Sequence, residues 1–260
     1  MQRNHNAGPL RARTPGIVAG DPRTARGDSG SIVAHRAACD ASGVPTILGP
    51  RMTETLPPRR WLFPTLALLC GLLAGWSLAG AADKPVWAFE VGPLSLVMLV
   101  FAVRRRWFCF SDLAYVLLAW FYAIQCLGGR YTFAEVPFPA AVMEWLGLER
   151  NPVDRIGHFF QGFVPAILLR EWLIRRRGLA RGPTLFWLVT GCCLAFSACY
   201  ELLEMWVVVL FYPGAGPEWL GMQGDPWDAQ MDMTMALCGA IAAQLLLLRL
   251  HERSMARVAS

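Results

Sequence analysis

From Trp61 onward, long apolar runs alternate with short polar breaks; before it, no apolar periodicity is present. A helix needs about 20 mostly apolar residues to cross a bilayer. The runs at 61–81, 86–103, 109–127, 156–174, 186–210 and 231–248 are read as spans on that basis. The pattern predicts an all-α membrane protein, a six-transmembrane-helix bundle occupying residues 56–252. The fifth run is the longest, long enough to tilt or protrude. Residues 1–55 are rich in Arg, Gly, Ala, Pro and Ser and lack the apolar centre of a signal peptide, so they read as a disordered N-terminal tail. Met52 opens MTETLPPRRWLFPTLALLC, a polar lead and two Arg ahead of a span. Translation from Met52 therefore stands as an equal alternative to a translated tail.

Composition agrees with the pattern. Hydrophobic residues make up 55% of the chain and charged residues 17%, against about 25% charged in ordinary soluble domains. A soluble enzyme, a secreted domain and a nucleic-acid partner are set aside on this ground. The net charge of +5 sits entirely in residues 1–60, where nine Arg face four acids. Placement along the remaining chain is more informative. Arg59 and Arg60, Arg104–Arg106, Arg175–Arg177 with Arg181, and Arg249, Arg253 and Arg257 all fall on one side of the alternating spans. By the positive-inside rule that side is cytoplasmic. Both termini are then cytoplasmic. The eight Cys show no C-x-x-C spacing; Cys39 lies in the polar tail, and the others fall in apolar stretches and read as mostly small buried hydrophobes.

Polar residues interrupt the spans in one layer. His158 and Gln161 follow Asp154 at the start of the fourth span, Glu201 and Glu204 lie in the outward half of the fifth, and Asp225, Asp228 and Asp232 lead into the sixth. At 1.5 Å per residue these lie within roughly 15 Å of the outer boundary. Asp154 and His158 are four apart with Gln161 three further, Glu201 and Glu204 are three apart, and the Asp trio steps by three and four. Each set therefore shares one helix face. Glu90, Gln125 and Arg130 occupy the same layer. Near the inner end only Arg170 and Glu171 intrude, with Arg170 expected to snorkel.

Helix capping explains part of this. Asn151 and Asp225, each followed by Pro, fit N-cap positions, and Asp154 and Asp228 fit an acidic first turn. Ser111 and Asp112 are expected to cap the third helix, and Gly71 and Gly75 to form a small-residue packing pair. Capping leaves His158, Glu201, Glu204 and Asp232 unexplained, because they lie too deep. Ionisable groups in spans mark functional sites or polar networks that lock a bundle together. On the first reading His158, Glu201, Glu204 and Asp232 are catalytic, while Asp154, Gln161, Asp225 and Asp228 bind. His158, Glu201, Asp228 and Asp232 form a donor set suited to a divalent metal. No phosphate-binding loop, H-E-x-x-H or G-x-S-x-G motif is present.

The strings DRIGHFFQGFVPAILLRE (154–171), SACYELLEMW (197–206) and GDPWDAQMDMTMALCGA (224–240) resemble the YjdF-like family of bacterial inner-membrane proteins over roughly residues 60–250. The resemblance implies a multi-span inner-membrane protein and supplies no activity. A fainter similarity runs to VanZ-like membrane proteins, through Asp154, His158, Glu201, Asp228, Asp232 and Gly239; the Met-rich run after Asp232 departs from that pattern. It implies a role at the cell envelope with lipid-linked or glycopeptide-related ligands.

Three function classes follow. The first is an envelope enzyme acting on a lipid or lipid-linked small molecule. The second is a proton- or ion-coupled carrier, and the third a non-catalytic sensor or assembly protein. The one-sided carboxylates count against a carrier, whose site usually lies near the midplane.

Overall fold

The computed structural model describes residues 61–214, 216 and 222–258. The expected tail at 1–55 and the candidate start at Met52 lie outside them. Every regular element among the described residues is helical: α1 (Leu62–Ala79), α2 (Lys84–Arg104), α3 (Asp112–Tyr131), α4 (Ala140–Leu146), α5 (Val153–Arg177), α6 (Pro183–Phe211), α7 (Asp228–Leu246) and α8 (Leu248–Met255), with a 3-10 turn at Phe133–Glu135. Four of these, α1, α2, α3 and α6, are each long and apolar enough to cross a membrane; α7 and α8 are so only as a pair, bent by 66°.

α5 falls short in hydropathy because both its ends are charged. Its position explains how it tolerates that charge. It packs most extensively on α7 and also contacts α3 and α6, burying residues on nearly every turn from Asp154 to Leu173. The outer helices do the reverse. Leu68 and Leu72 of α1, Leu96 and Leu99 of α2, and Leu202 and Val209 of α6 stand exposed, as side chains facing lipid do.

Two glycines set the closest helix approach. A Cβ added to Gly162 of α5 would collide with the backbone carbonyl of Ala236 on α7, and one added to Gly239 of α7 with that of Phe159 on α5. Small residues let helix backbones meet this closely in membranes, where no hydrophobic force drives helices together. Gly71 and Gly75, expected to serve that purpose, do not do so among the described residues, where a Cβ at either meets nothing within 4 Å. On the other flank, the Trp87 indole donates to Ser77 Oγ (2.9 Å), which donates in turn to the carbonyl of Cys126 (2.6 Å), tying α1, α2 and α3 together.

At the end of α5 that carries Arg170–Arg177, the polar groups are saturated. Glu171, fully buried, accepts from Ser111 N (2.7 Å), Ser111 Oγ (2.6 Å) and Arg175, and lies 3.2 Å from His251 Nε2. Ser111 thus serves Glu171 and not the start of α3, where it makes no side-chain cap. Arg170 is 5% exposed and is held by His251 and Glu252. It does not snorkel, because α8 folds back at the bend and brings it partners. Burial pushes the Glu252 carboxyl up, but hydrogen bonds from Arg181 and Arg170 outweigh this and hold it below the usual carboxylate range.

The α5–α7 contact yields a direct expectation. Gly162→Ala costs about 1–3 kcal/mol by overpacking, seen as a lower melting temperature in detergent. Gly71→Ala, with open space around it, leaves melting unchanged. Equal effects at the two positions would contradict the assignment.

Candidate functional site

The opposite ends of α5 and α7 are fastened side by side. Asn151 accepts from Val153 N (3.1 Å) through its side-chain oxygen and donates to the carbonyls of Ala134 (3.1 Å) and Val136 (2.7 Å). Its backbone is clasped by Gln223, which accepts from Asn151 N (2.9 Å) and donates to Asn151 O (3.3 Å). Asp225 accepts from Trp227 N (2.9 Å), making a side-chain turn just ahead of α7. The residues expected to cap do engage the chain at these starts. They do so two or three residues before each helix, and the turns they form aim acids of both helices at one point.

Two arginines occupy that point. Arg150 pairs with Asp154 (3.1 Å), Asp228 and Asp225 (3.7 Å). Arg155 pairs with Asp225 (3.0 Å), Asp228 (2.7 Å) and Asp232, and also donates to the carbonyl of Asp228 (3.1 Å). Both lie in a segment of mixed charge, residues 128–155, which hides their part in the cluster from the sequence. The signal was available: Arg150 stands four residues before Asp154, and the acidic segment ahead of α7 contains no cation of its own.

Beneath the arginines lies His158. Its Nε2 is 3.6 Å from Asp154 Oδ1 and 3.8 Å from Asp232 Oδ1; its Nδ1 is 3.0 Å from Gln161 Oε1 and 3.5 Å from Glu201 Oε1. Asp154, His158 and Asp232 offer donor atoms within 4.8 Å of one another. Asp228, expected among the metal donors, is held by both arginines. Glu201 Oε1 is buried and has no hydrogen-bond partner among the described residues. With Gln161 accepting from the Nδ1 proton, Nε2 turns its lone pair toward two carboxylates. That geometry is repulsive until a proton or a cation lies between them.

Two spaces adjoin the cluster. A cavity of about 20 Å³, room for about one water molecule, separates Asp154, His158 and Gln161 from Glu90, Gln125 and Tyr200. Across it the Tyr200 hydroxyl donates to Glu90 (3.2 Å), and Gln125 also donates to Glu90 (3.3 Å). The second is a groove of about 480 Å³ between α6 and the start of α7, where Glu201, Glu204 and Asp228 meet apolar walls from Leu202, Met205 and Met233. Glu204 lines the groove and makes no ion pair among the described residues, so it stands apart from His158.

Arg155 is the residue whose loss this geometry makes most costly. Arg155→Met leaves Asp225, Asp228 and Asp232 undercompensated and is expected to destabilise the fold by about 3–5 kcal/mol. Adding Asp228→Asn to the same chain recovers part of that loss in a thermal melt. A melt unaffected by Arg155→Met would show that the arginine is not needed for charge balance.

Comparison with known proteins places this architecture. Residues 63–253 match the family model described as "Predicted membrane protein (DUF2238)". The chain is 41% identical over 206 residues to "Inner membrane protein YjdF" of Escherichia coli (strain K12), an alignment covering 79% of this chain and 97% of that relative. No solved structure matches. The match spans every helix from α2 to α7 together with the whole polar cluster, and the chain belongs to the DUF2238 family of membrane proteins.

Proposed function

We propose that this protein crosses the bacterial inner membrane six times, with both termini in the cytoplasm, and acts as an envelope enzyme on a lipid or lipid-linked substrate at the outer leaflet. The Arg distribution and the inner-membrane name of its relative support the topology. Four helices are long and apolar enough to span alone; on this reading α5 spans inside its sheath of α3, α6 and α7, and α7 spans together with α8 as a bent pair.

The observation that carries the catalytic reading is the double position of Glu201. Its Oε1 lies 3.5 Å from His158 Nδ1, and the same side chain lines the groove between α6 and α7. A groove with apolar walls and carboxylates at its base suits an amphiphile whose polar head must reach His158. Asp154, His158 and Asp232 would hold a divalent cation, with Glu201 close enough to join them. Such a cation supplies charge neutralisation and polarises a phosphoryl oxygen. Glu201 is the group placed to accept the proton of an attacking water, while His158, its Nδ1 proton held by Gln161, would keep Nε2 for the cation. Glu204, one turn from Glu201, faces the substrate, while Asp225 and Asp228 keep Arg150 and Arg155 in place.

A carrier is the weaker reading. Between its two polar ends α5 buries Phe163, Val164, Ala166 and Ile167, an apolar layer that gives a proton no stepping stone on this helix.

The test presents lipid-phosphate substrates to the outer leaflet of right-side-out vesicles containing the protein. Glu201→Gln is expected to lower turnover at least about 100-fold with thermal melting unchanged. Turnover that persists in the variant while its melting falls would reassign the cluster to a structural network.

A further inference from the structure

The largest cavity among those described plays no part in the site above. It lies at the other end of the bundle, against the start of α6 and the bend between α7 and α8, and has a volume of about 790 Å³, within the range of ligand pockets. His158 and Arg170 are twelve residues apart on α5, about 18 Å along the axis, so the two sites are separate.

Its lining has two characters. Arg170, Arg181, Arg249 and Arg253 contribute four cations against one acid, Glu252. That acid is already engaged by Arg170 and by a two-pronged contact from Arg181. Arg249 and Arg253 stand four residues apart on α8, both are exposed, and among the described residues neither pairs with a carboxylate. The face of α8 that carries His251 and Met255 is buried in the bundle, so the helix is fixed while these two arginines remain free. The other walls are apolar: Leu185 and Phe186 of α6, Leu245 of α7 and Leu248 of α8. Leu245 and Leu248 are themselves exposed, as side chains facing lipid are.

Unpaired cations above apolar walls opening to the membrane are complementary to one kind of molecule, an anion carrying a hydrocarbon chain. We infer that this cavity is a binding site for an anionic phospholipid, with its phosphate between Arg249 and Arg253 and an acyl chain along Leu245 and Phe186. Basic pockets at this level of a helical membrane protein recognise anionic headgroups. The first turn of α6, which forms one wall through Gly182 and Leu185, adds the positive end of a helix dipole. A free anion would use the arginines and gain nothing from the leucines; a zwitterionic lipid would use the leucines and lack the excess negative charge.

The purified full chain in mild detergent is titrated with phosphatidylglycerol, with phosphatidylcholine of the same acyl chains and with inorganic phosphate, and thermal unfolding is followed. Phosphatidylglycerol is expected to raise the melting temperature in a saturable way, while the other two leave it unchanged. The Arg249→Ala/Arg253→Ala double variant should weaken that response roughly 10- to 30-fold and melt like the parent without lipid, since neither side chain joins an ion pair among the described residues. Lysine at both positions should restore most of the response. An equal response to phosphatidylcholine would overturn the headgroup assignment, an equal response to phosphate would reduce the cavity to a plain anion site, and an undiminished response in the alanine variant would place the lipid elsewhere.

Discussion

Taking a carboxylate out of water costs several kcal/mol unless a partner comes with it, and this bundle gathers four at one end, Asp154, Asp225, Asp228 and Asp232, with Glu90, Glu201 and Glu204 close by. Arg150 and Arg155 are the cations placed to meet them. Much of the local architecture serves that meeting. Gly162 and Gly239 let α5 and α7 approach backbone to backbone, which brings the acids of α7 within reach of arginines at the start of α5. Asn151 and Gln223 clasp the two starts so that the reach is fixed.

The two ends of α5 contrast. At the end carrying Arg170, Glu171 has Ser111, Arg175 and His251, and Arg170 has His251 and Glu252. That network satisfies itself. At the end carrying Asp154, carboxyls outnumber guanidiniums, His158 faces acids from three helices, and Glu201 Oε1 has no hydrogen-bond partner among the described residues. This surplus of carboxyls beside a groove is the observation on which the proposed function rests.

Much of this was legible in the sequence, because the bilayer imposes length and polarity rules that show in one chain. The helical class, the apolar runs and the gathering of polar residues at one end of the bundle could all be read from spacing, and i,i+3 and i,i+4 steps put the right residues on common faces. What escaped depended on contacts between elements distant in sequence. Nothing near Gly162 announces that it meets Ala236, while Gly71 and Gly75 fit a packing motif and pack against nothing. Arg170 read as a snorkelling side chain because His251 and Glu252, its partners, lie some 80 residues away behind a helix bend. Arg150 and Arg155 were hidden by their place in a mixed-charge loop, although they balance the acids that had been noticed.

The central claim is that the surplus of negative charge around His158 is completed by a divalent cation. Elemental mass spectrometry of the protein purified from residue 52 onward tests it most directly, with His158→Ala and Asp232→Asn measured beside it. The account predicts close to one divalent ion per chain, lost in both variants while they remain folded. Well-folded parent protein carrying no divalent metal, or metal retained in full by both variants, would contradict it.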